Sequence, residues 1–186
     1  QWDMKRLLAY SSISQIGYIL LGIGLATPLA LLGAVFHLFN HAVFKSLLFY
    51  DAGSIELGMG TRDLNKLGKL GKYMPFTTGT SIIASLAISG IPPFNGFFSK
   101  LIIVIAALSA GQPILAVLAI LGSILTLAAV MKVHRYGLRE EVEIEPTGEK
   151  IGLGMKAAMA TLAIICVLGG SLLVTGVREA TLEPVV

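Results

Sequence analysis

Apolar residues along this chain run in blocks near 20 residues long, not in the short alternations of half-buried strands or the one-sided stripes of surface helices. The first block covers about Leu7 to Leu25 and is interrupted only by serines, Gln15 and Tyr18. Ala26-Thr27-Pro28 turns the chain into a second block, about Leu29 to Tyr50, which carries His37, His41 and Lys45. A polar, glycine-rich segment, Asp51 to Met74, follows. The third block runs from about Phe76 to Ala110 and has Gly90-Ile91-Pro92-Pro93-Phe94-Asn95-Gly96 at its middle. Two prolines remove two backbone donors and clash with the preceding turn, so the pattern predicts a helix broken there. Gly111-Gln112-Pro113 leads into a fourth block, about Ile114 to Met131. A charged loop from Lys132 to Lys150 and a fifth block, about Leu153 to Val177, complete the chain.

Blocks of this length match a hydrocarbon core about 30 Å thick. The fold class expected is all-α: a polytopic membrane protein of about five transmembrane helices, the third broken at Pro92-Pro93. Composition agrees. Of 186 residues 55% are hydrophobic and only 13% charged, with a mean hydropathy of +0.82. Soluble domains carry about 25% charged residues, so half that fraction cannot cover a water-facing surface. The single cysteine, Cys166, excludes a disulfide framework, and three scattered histidines with it suit neither a zinc nor an iron–sulfur site. No cofactor motif is present, and any redox chemistry is expected to belong to partners. The sequence starts at Gln1 without a basic leader or cleavage site, which reads as a piece of a larger membrane protein.

Net charge is +3, but the basic residues flank apolar blocks, a placement that suits membrane topology and not nucleic acid. If the spans alternate, Lys5, Arg6, Arg62, Lys66, Lys69, Lys72, Lys132, Arg135, Arg139, Lys150 and Lys156 fall on one side and Arg178 alone on the other. The basic side is then cytoplasmic. Splitting the third block into two crossings would weaken this asymmetry, which favours one broken helix.

His37, His41 and Lys45 are four residues apart, so on a helix they climb one face. Each ionisable group near the bilayer centre costs about 2.5–3.5 kcal/mol on insertion scales, and three in register call for water or partners in a bundle interior. A plainer reading has the histidines bonding neighbouring helices and Lys45 reaching back to the surface. Metal binding by His37 and His41 also fits the spacing, though no carboxylate accompanies them. Lys100 follows Gly96 by four residues, just past the break. Broken helices at membrane depth occur where freed backbone is buried in protein or lines a watery cavity, and transporters use such breaks to bind ions. A proton carrier must release its proton as well as hold it. Histidine, titrating near 6.5, does so readily; a lysine at its ordinary value near 10.4 rarely does at neutral pH. Schiff-base chemistry, or simple bonding of Lys100 to loosened carbonyls, are the other readings. Gly33, Gly79, Gly90 and Gly122 are expected at close helix approaches. Trp2, Tyr10, Tyr18, Tyr50 and Tyr73 read as packing or interface residues, and Glu140–Glu145 as part of a solvated connector.

Three stretches, DMKRLLAYSSISQIG (Asp3–Gly17), HLFNHAVFKSLLF (His37–Phe49) and GIPPFNGFFSK (Gly90–Lys100), together resemble the antiporter-like subunits shared by respiratory complex I, Mrp-type Na⁺/H⁺ antiporters and energy-converting membrane-bound hydrogenases. The Pro-Pro-Phe-Asn-Gly form leans towards the hydrogenase-type and Mrp-type members. The resemblance covers almost the whole chain, most weakly after about Lys132. It implies a subunit of about fourteen helices built on two inverted repeats, each with a broken helix, of which this chain matches the second repeat plus a closing helix. Residues 1–137 would be that repeat, 138–152 a charged cytoplasmic loop and 153–186 the closing helix and tail. His37, His41 and Lys45 would take the place of the central relay and Lys100 that of the lysine beside the second broken helix, with Pro92, Pro93, Asn95 and Gly96 forming the break. The family's first half, with its glutamate–lysine pair, is absent.

The expected function is therefore proton translocation as one subunit of a redox-driven complex in the cell membrane, with no cofactor or metal of its own. Expected partners are lipid, protons or Na⁺, and other membrane subunits, including a chain that supplies the first half. A Na⁺/H⁺ antiporter module and a purely architectural membrane subunit remain alternatives, with a quinone-site protein a weaker third.

Overall fold

The apolar blocks form helices, and the third forms two. In the computed structural model, which describes residues 1–139, 142 and 145–182, with side chains as far as residue 170 in the last helix, every regular element is helical. Helix α1 (Met4–Leu25) starts on Asp3, whose carboxylate accepts the Arg6 amide at 2.9 Å. Helix α2 (Pro28–Met59) starts on Thr27 with Pro28 in its first turn, where a missing N–H costs nothing, and stops at Gly60 in the left-handed conformation. A single turn, α3 (Leu70–Tyr73), precedes α4 (Pro75–Ser89), α5 (Asn95–Ser109), α6 (Pro113–Gly137) and α7 (Leu153–Leu182).

Helices α4 and α5 have 15 residues each, about 22 Å at 1.5 Å per residue. Neither crosses a core of about 30 Å alone; joined through Gly90–Phe94 they make one broken crossing. With α1, α2, α6 and α7, which are long and apolar enough to span, the chain is a multi-pass membrane protein of five crossings. The outward faces fit lipid: Ile13, Val35, Ile114 and Leu125 are 68–73% exposed, an arrangement that water would penalise.

Helices α2 and α6 are longer than the sequence pattern indicates. Residues after Tyr50 read as a polar segment, yet α2 continues to Met59, about 48 Å in all, and buries Asp51, Ala52, Ile55, Gly58 and Met59. Those positions keep helical spacing, and small or apolar residues on that face pack into the core, which outweighs the low helix propensity of glycine. Helix α6 likewise runs on to Gly137 and buries Val133 and His134. The connector expected to be solvated is partly tied down, since Thr147 donates its amide to Gly58 at 2.9 Å and its hydroxyl to Leu57 at 2.6 Å. Glu140, Glu141 and Glu143 of that connector, and the Arg178 side chain, lie outside the described residues.

Helix α2 is the central post, packed on α1, α4, α5 and α7. Its Phe44 and Leu47 are fully buried among Leu8, Ala87 and Ile88. Basic residues knit the end of the bundle where the chain begins. Arg139 donates to the carbonyls of Leu64 and Asn65 at 3.2 and 3.1 Å, Lys132 lies 3.5 Å above the Trp2 ring, and Arg62 pairs with Asp3 at 2.6 Å. The Arg6 amide and the Arg62 guanidinium hold the Asp3 carboxyl below its ordinary value near 3.8. The stability those contacts contribute is therefore present above that value and lost as pH falls through the lower folded value.

Close packing at the break gives a direct test. A Cβ on Gly96 would overlap the Ala87 carbonyl of the facing helix half, whereas nothing lies within 4 Å of a Cβ on Gly79, whose place in the sequence predicts a close approach. Gly96→Ala should lower stability by about 1–3 kcal/mol and Gly79→Ala should lower it not at all, both read as thermal unfolding of the purified protein in detergent.

Candidate functional site

The break in the third crossing creates the chemistry around it. Gly90, left-handed at φ 76°, ends α4 with its amide on Ala87, and the next amide, of Ile91, reaches back to Leu86. These two bonds satisfy two of the last carbonyls of α4. The Ile88 carbonyl would ordinarily accept the amide of residue 92, but that residue is proline. The Lys100 ammonium fills the gap, donating to the Ile88 carbonyl oxygen at 2.7 Å from the first turns of α5. Gly90 leaves room for this reach, because the Lys100 Cδ lies 3.1 Å from where a Cβ would be.

Asn95 opens α5 fully buried and is locked to α2 by a reciprocal pair. Its Nδ2 donates to Asn40 Oδ1 at 3.0 Å, and Asn40 Nδ2 donates to the Asn95 carbonyl at 3.1 Å. One turn of helix before Asn40, His37 is fully buried with Nδ1 2.9 Å from the Ser99 hydroxyl. Helix α7 closes the other side of the break, where Gly170 sits against the backbone of Pro93, Phe94 and Asn95 too closely for a side chain.

The four ionisable residues do not form one continuous hydrogen-bonded line. Lys100 and His37 come together around Tyr18, whose ring is 4.7 Å from the Lys100 ammonium and 5.4 Å from the His37 ring. The Phe44 ring packs against both imidazoles, 6.2 Å from that of His37 and 5.7 Å from that of His41. Among the described residues, the Nε2 atoms of His41 and His37 have no hydrogen-bond partner. Lys45 turns away from both towards α1, donating to the Leu8 carbonyl and to the Ser11 hydroxyl. It is 6% exposed, so it does not reach back to a surface. Among the described residues no carboxylate pairs with Lys45 or Lys100, and no three His, Cys, Asp or Glu side chains form a metal cluster.

Tyr18 belongs to this site although it reads from sequence as a packing residue. Helix α6 fixes its hydroxyl at the Ala119 carbonyl and 2.8 Å from the Ser123 hydroxyl, which holds the ring against Lys100. Gln15, one turn earlier, is fully buried and donates weakly to Thr126 at 3.4 Å. The signal for both is their helical spacing inside an apolar block. Asp51, which reads from sequence as the start of a polar segment, is 1% exposed and accepts the Thr80 hydroxyl at 2.7 Å.

Known proteins share this fold and sequence pattern. Residues 1–126 match the family described as "NADH:quinone oxidoreductase/Mrp antiporter, TM". Over 172 residues the chain is 36% identical to a Na(+)/H(+) antiporter subunit of Alkalihalophilus pseudofirmus, covering 91% of this chain and 35% of that protein. It is also 36% identical over 185 residues to an NADH-quinone oxidoreductase subunit of Desulforudis audaxviator, covering 95% of this chain and 36% of the relative. Equal identity to an antiporter subunit and an oxidoreductase subunit favours neither branch. The Mrp complex structure from Dietzia sp. superimposes with a TM-score of 0.79 at 32% identity, over 89% of this chain and 40% of that one. The chain thus spans about a third of the length of the curated relatives it matches.

The Asn40–Asn95 pair makes a prediction specific to this site. Replacing both with Ala, singly and together, should give a coupling energy of about 0.5–3 kcal/mol in a double-mutant cycle of thermal stability. Additive losses would mean that the two amides do not hold the break to α2.

Proposed function

This chain belongs to the NADH:quinone oxidoreductase/Mrp antiporter transmembrane family, and from that premise we propose that it is an ion-translocating, proton-carrying membrane subunit of a larger complex. The observation that carries this reading is Lys100, an ammonium held at a helix break on a single orphan carbonyl, next to buried His37 and with no counter-charge beside it among the described residues. A lysine tethered by one hydrogen bond can exchange its partner. One locked in a bidentate ion pair cannot do so cheaply.

In this reading Lys45 and His41 form one station of the axis, and His37 with Lys100 the other. Water or a rearrangement at Phe44 and Tyr18 bridges them as the proton moves. Two buried ammonium groups disfavour each other's protonation, so charging one station pushes the proton from the other. A charge shift delivered by a neighbouring subunit would start the cycle. Residues 1–137 act as the second antiporter-type repeat, 138–152 as a charged cytoplasmic loop and 153–186 as the closing helix and tail. The first repeat is supplied by further sequence or by another subunit, and the basic loops face the cytoplasm.

The two substitutions Lys100→Ala and Lys100→Arg test the role together, in inverted membrane vesicles carrying the intact complex. Both should abolish gradient formation while partner turnover continues, because arginine can donate to the Ile88 carbonyl but does not release its proton. A gradient sustained by Lys100→Arg would make Lys100 an architectural cap. The ion itself is read in the same assay: dependence of the gradient on external Na⁺ would favour the Na⁺/H⁺ antiporter module over proton transfer alone.

A further inference from the structure

A second group of buried polar residues lies apart from the Lys–His axis, towards the basic end of the bundle. Asp51 is its centre. Its Oδ1 accepts the Thr80 hydroxyl at 2.7 Å, while Oδ2 is buried and has no hydrogen-bond partner among the described residues. A small cavity of about 10 Å³ opens beside it, bounded by Asp51, Ser81 and Ser85 and by apolar residues that include Leu8 and Val133. That is about the volume one water requires, and the hydroxyls and carboxylate supply the polar partners a water needs. Ser85 connects the cavity outward, since its hydroxyl is 2.9 Å from His134 Nε2. His134 in turn borders an open depression at the end of α6, together with Lys132 and Arg135. Leu8 lines the cavity from α1, and its carbonyl is the acceptor for Lys45.

We propose that His134, Ser85 and Asp51 form a proton-input branch that loads Asp51 from the basic face through one water in the cavity. The branch rests on the translocation reading above but uses none of its four residues. In the loading step a proton arrives at His134 Nδ1, and Nε2 passes its own proton to the Ser85 oxygen. The Ser85 hydroxyl proton moves to the water, and a water proton moves to Asp51 Oδ2. One proton enters, the carboxylate becomes a neutral acid, and no electrons move. The other groups facing Asp51 do not compete for this role. Among the described residues, α4 offers the Thr80 and Ser81 hydroxyls besides Ser85, α7 the Cys166 thiol, α1 the apolar Met4 and Leu8, and α6 the apolar Val130 and Val133. A purely structural aspartate bonding Thr80 would not need an open second oxygen or a polar chamber leading to a histidine.

Infrared difference spectroscopy of the intact complex in membranes, recorded after a pH jump, reads this directly. The expected result is a carboxylic-acid band that is lost in Asp51→Asn and forms more slowly in Ser85→Ala and His134→Gln. The band should persist in Lys100→Ala, which separates failure of the input branch from failure of the relay. Ser85→Ala keeps the carboxylate and severs only its link to His134, so it carries the test if Asp51→Asn does not assemble. An unchanged carboxyl band in Asp51→Asn, or unchanged formation rates in both Ser85→Ala and His134→Gln, would overturn the proposal.

Discussion

A backbone carbonyl without a donor is the constraint from which this structure follows. In lipid each such group costs several kcal/mol, and two adjacent prolines in the middle of a membrane crossing deprive Ile88 and Ser89 of their usual amide partners. The capping turn at Gly90 satisfies the two carbonyls before them. Lys100 satisfies that of Ile88. Everything near the break then has to admit a cation: Gly90 leaves space for its stem, Tyr18 offers a ring face, and Asn40 clamps the start of α5 so that Lys100 begins from a fixed place. The break is thus also the device that draws a charged side chain into the bundle and holds it on one exchangeable bond.

Polar groups elsewhere in the bundle are arranged by the same requirement. Buried hydroxyls and amides find partners on another helix or on their own preceding turn: Ser99 with His37, Thr126 with Gln15 and with the Gly122 carbonyl, Ser85 with His134. Some atoms are left over, and three of them are informative. The free nitrogens of His37 and His41 and the second oxygen of Asp51 sit at the places where a proton carrier needs an open position.

Much of this is legible in the sequence, and the reasons differ from residue to residue. Pro92 and Pro93 announce the break because proline's effect on a helix is local and independent of context. The four-residue spacing of His37, His41 and Lys45 announces one face for the same reason. What the spacing does not carry is direction across the bundle. Phe44 packs against both imidazoles, and Lys45 points at α1 because that helix offers it a carbonyl. Asp51 and His134 escape the pattern because both lie where apolar blocks give way to glycine or charge, and hydropathy alone cannot tell a helix that continues from one that stops. The buried face from Asp51 to Met59 is present as helical spacing, but tertiary packing decides it. Tyr18 is hidden differently: an aromatic in an apolar span is ordinary, and its role comes from partners such as Ser123 and Lys100, more than 80 residues away in the chain.

Restoring the missing donor tests the central claim most directly. In Pro92→Ala the Ile88 carbonyl regains an amide at the usual helical separation, and Lys100 loses its anchor without being altered itself. Gradient formation by the intact complex in inverted vesicles, measured beside partner turnover, is the readout. The expected result is an assembled complex that turns over but builds little or no gradient. A Pro92→Ala complex that pumps as well as the unsubstituted one would show that the lysine's tether to the broken helix has no part in translocation.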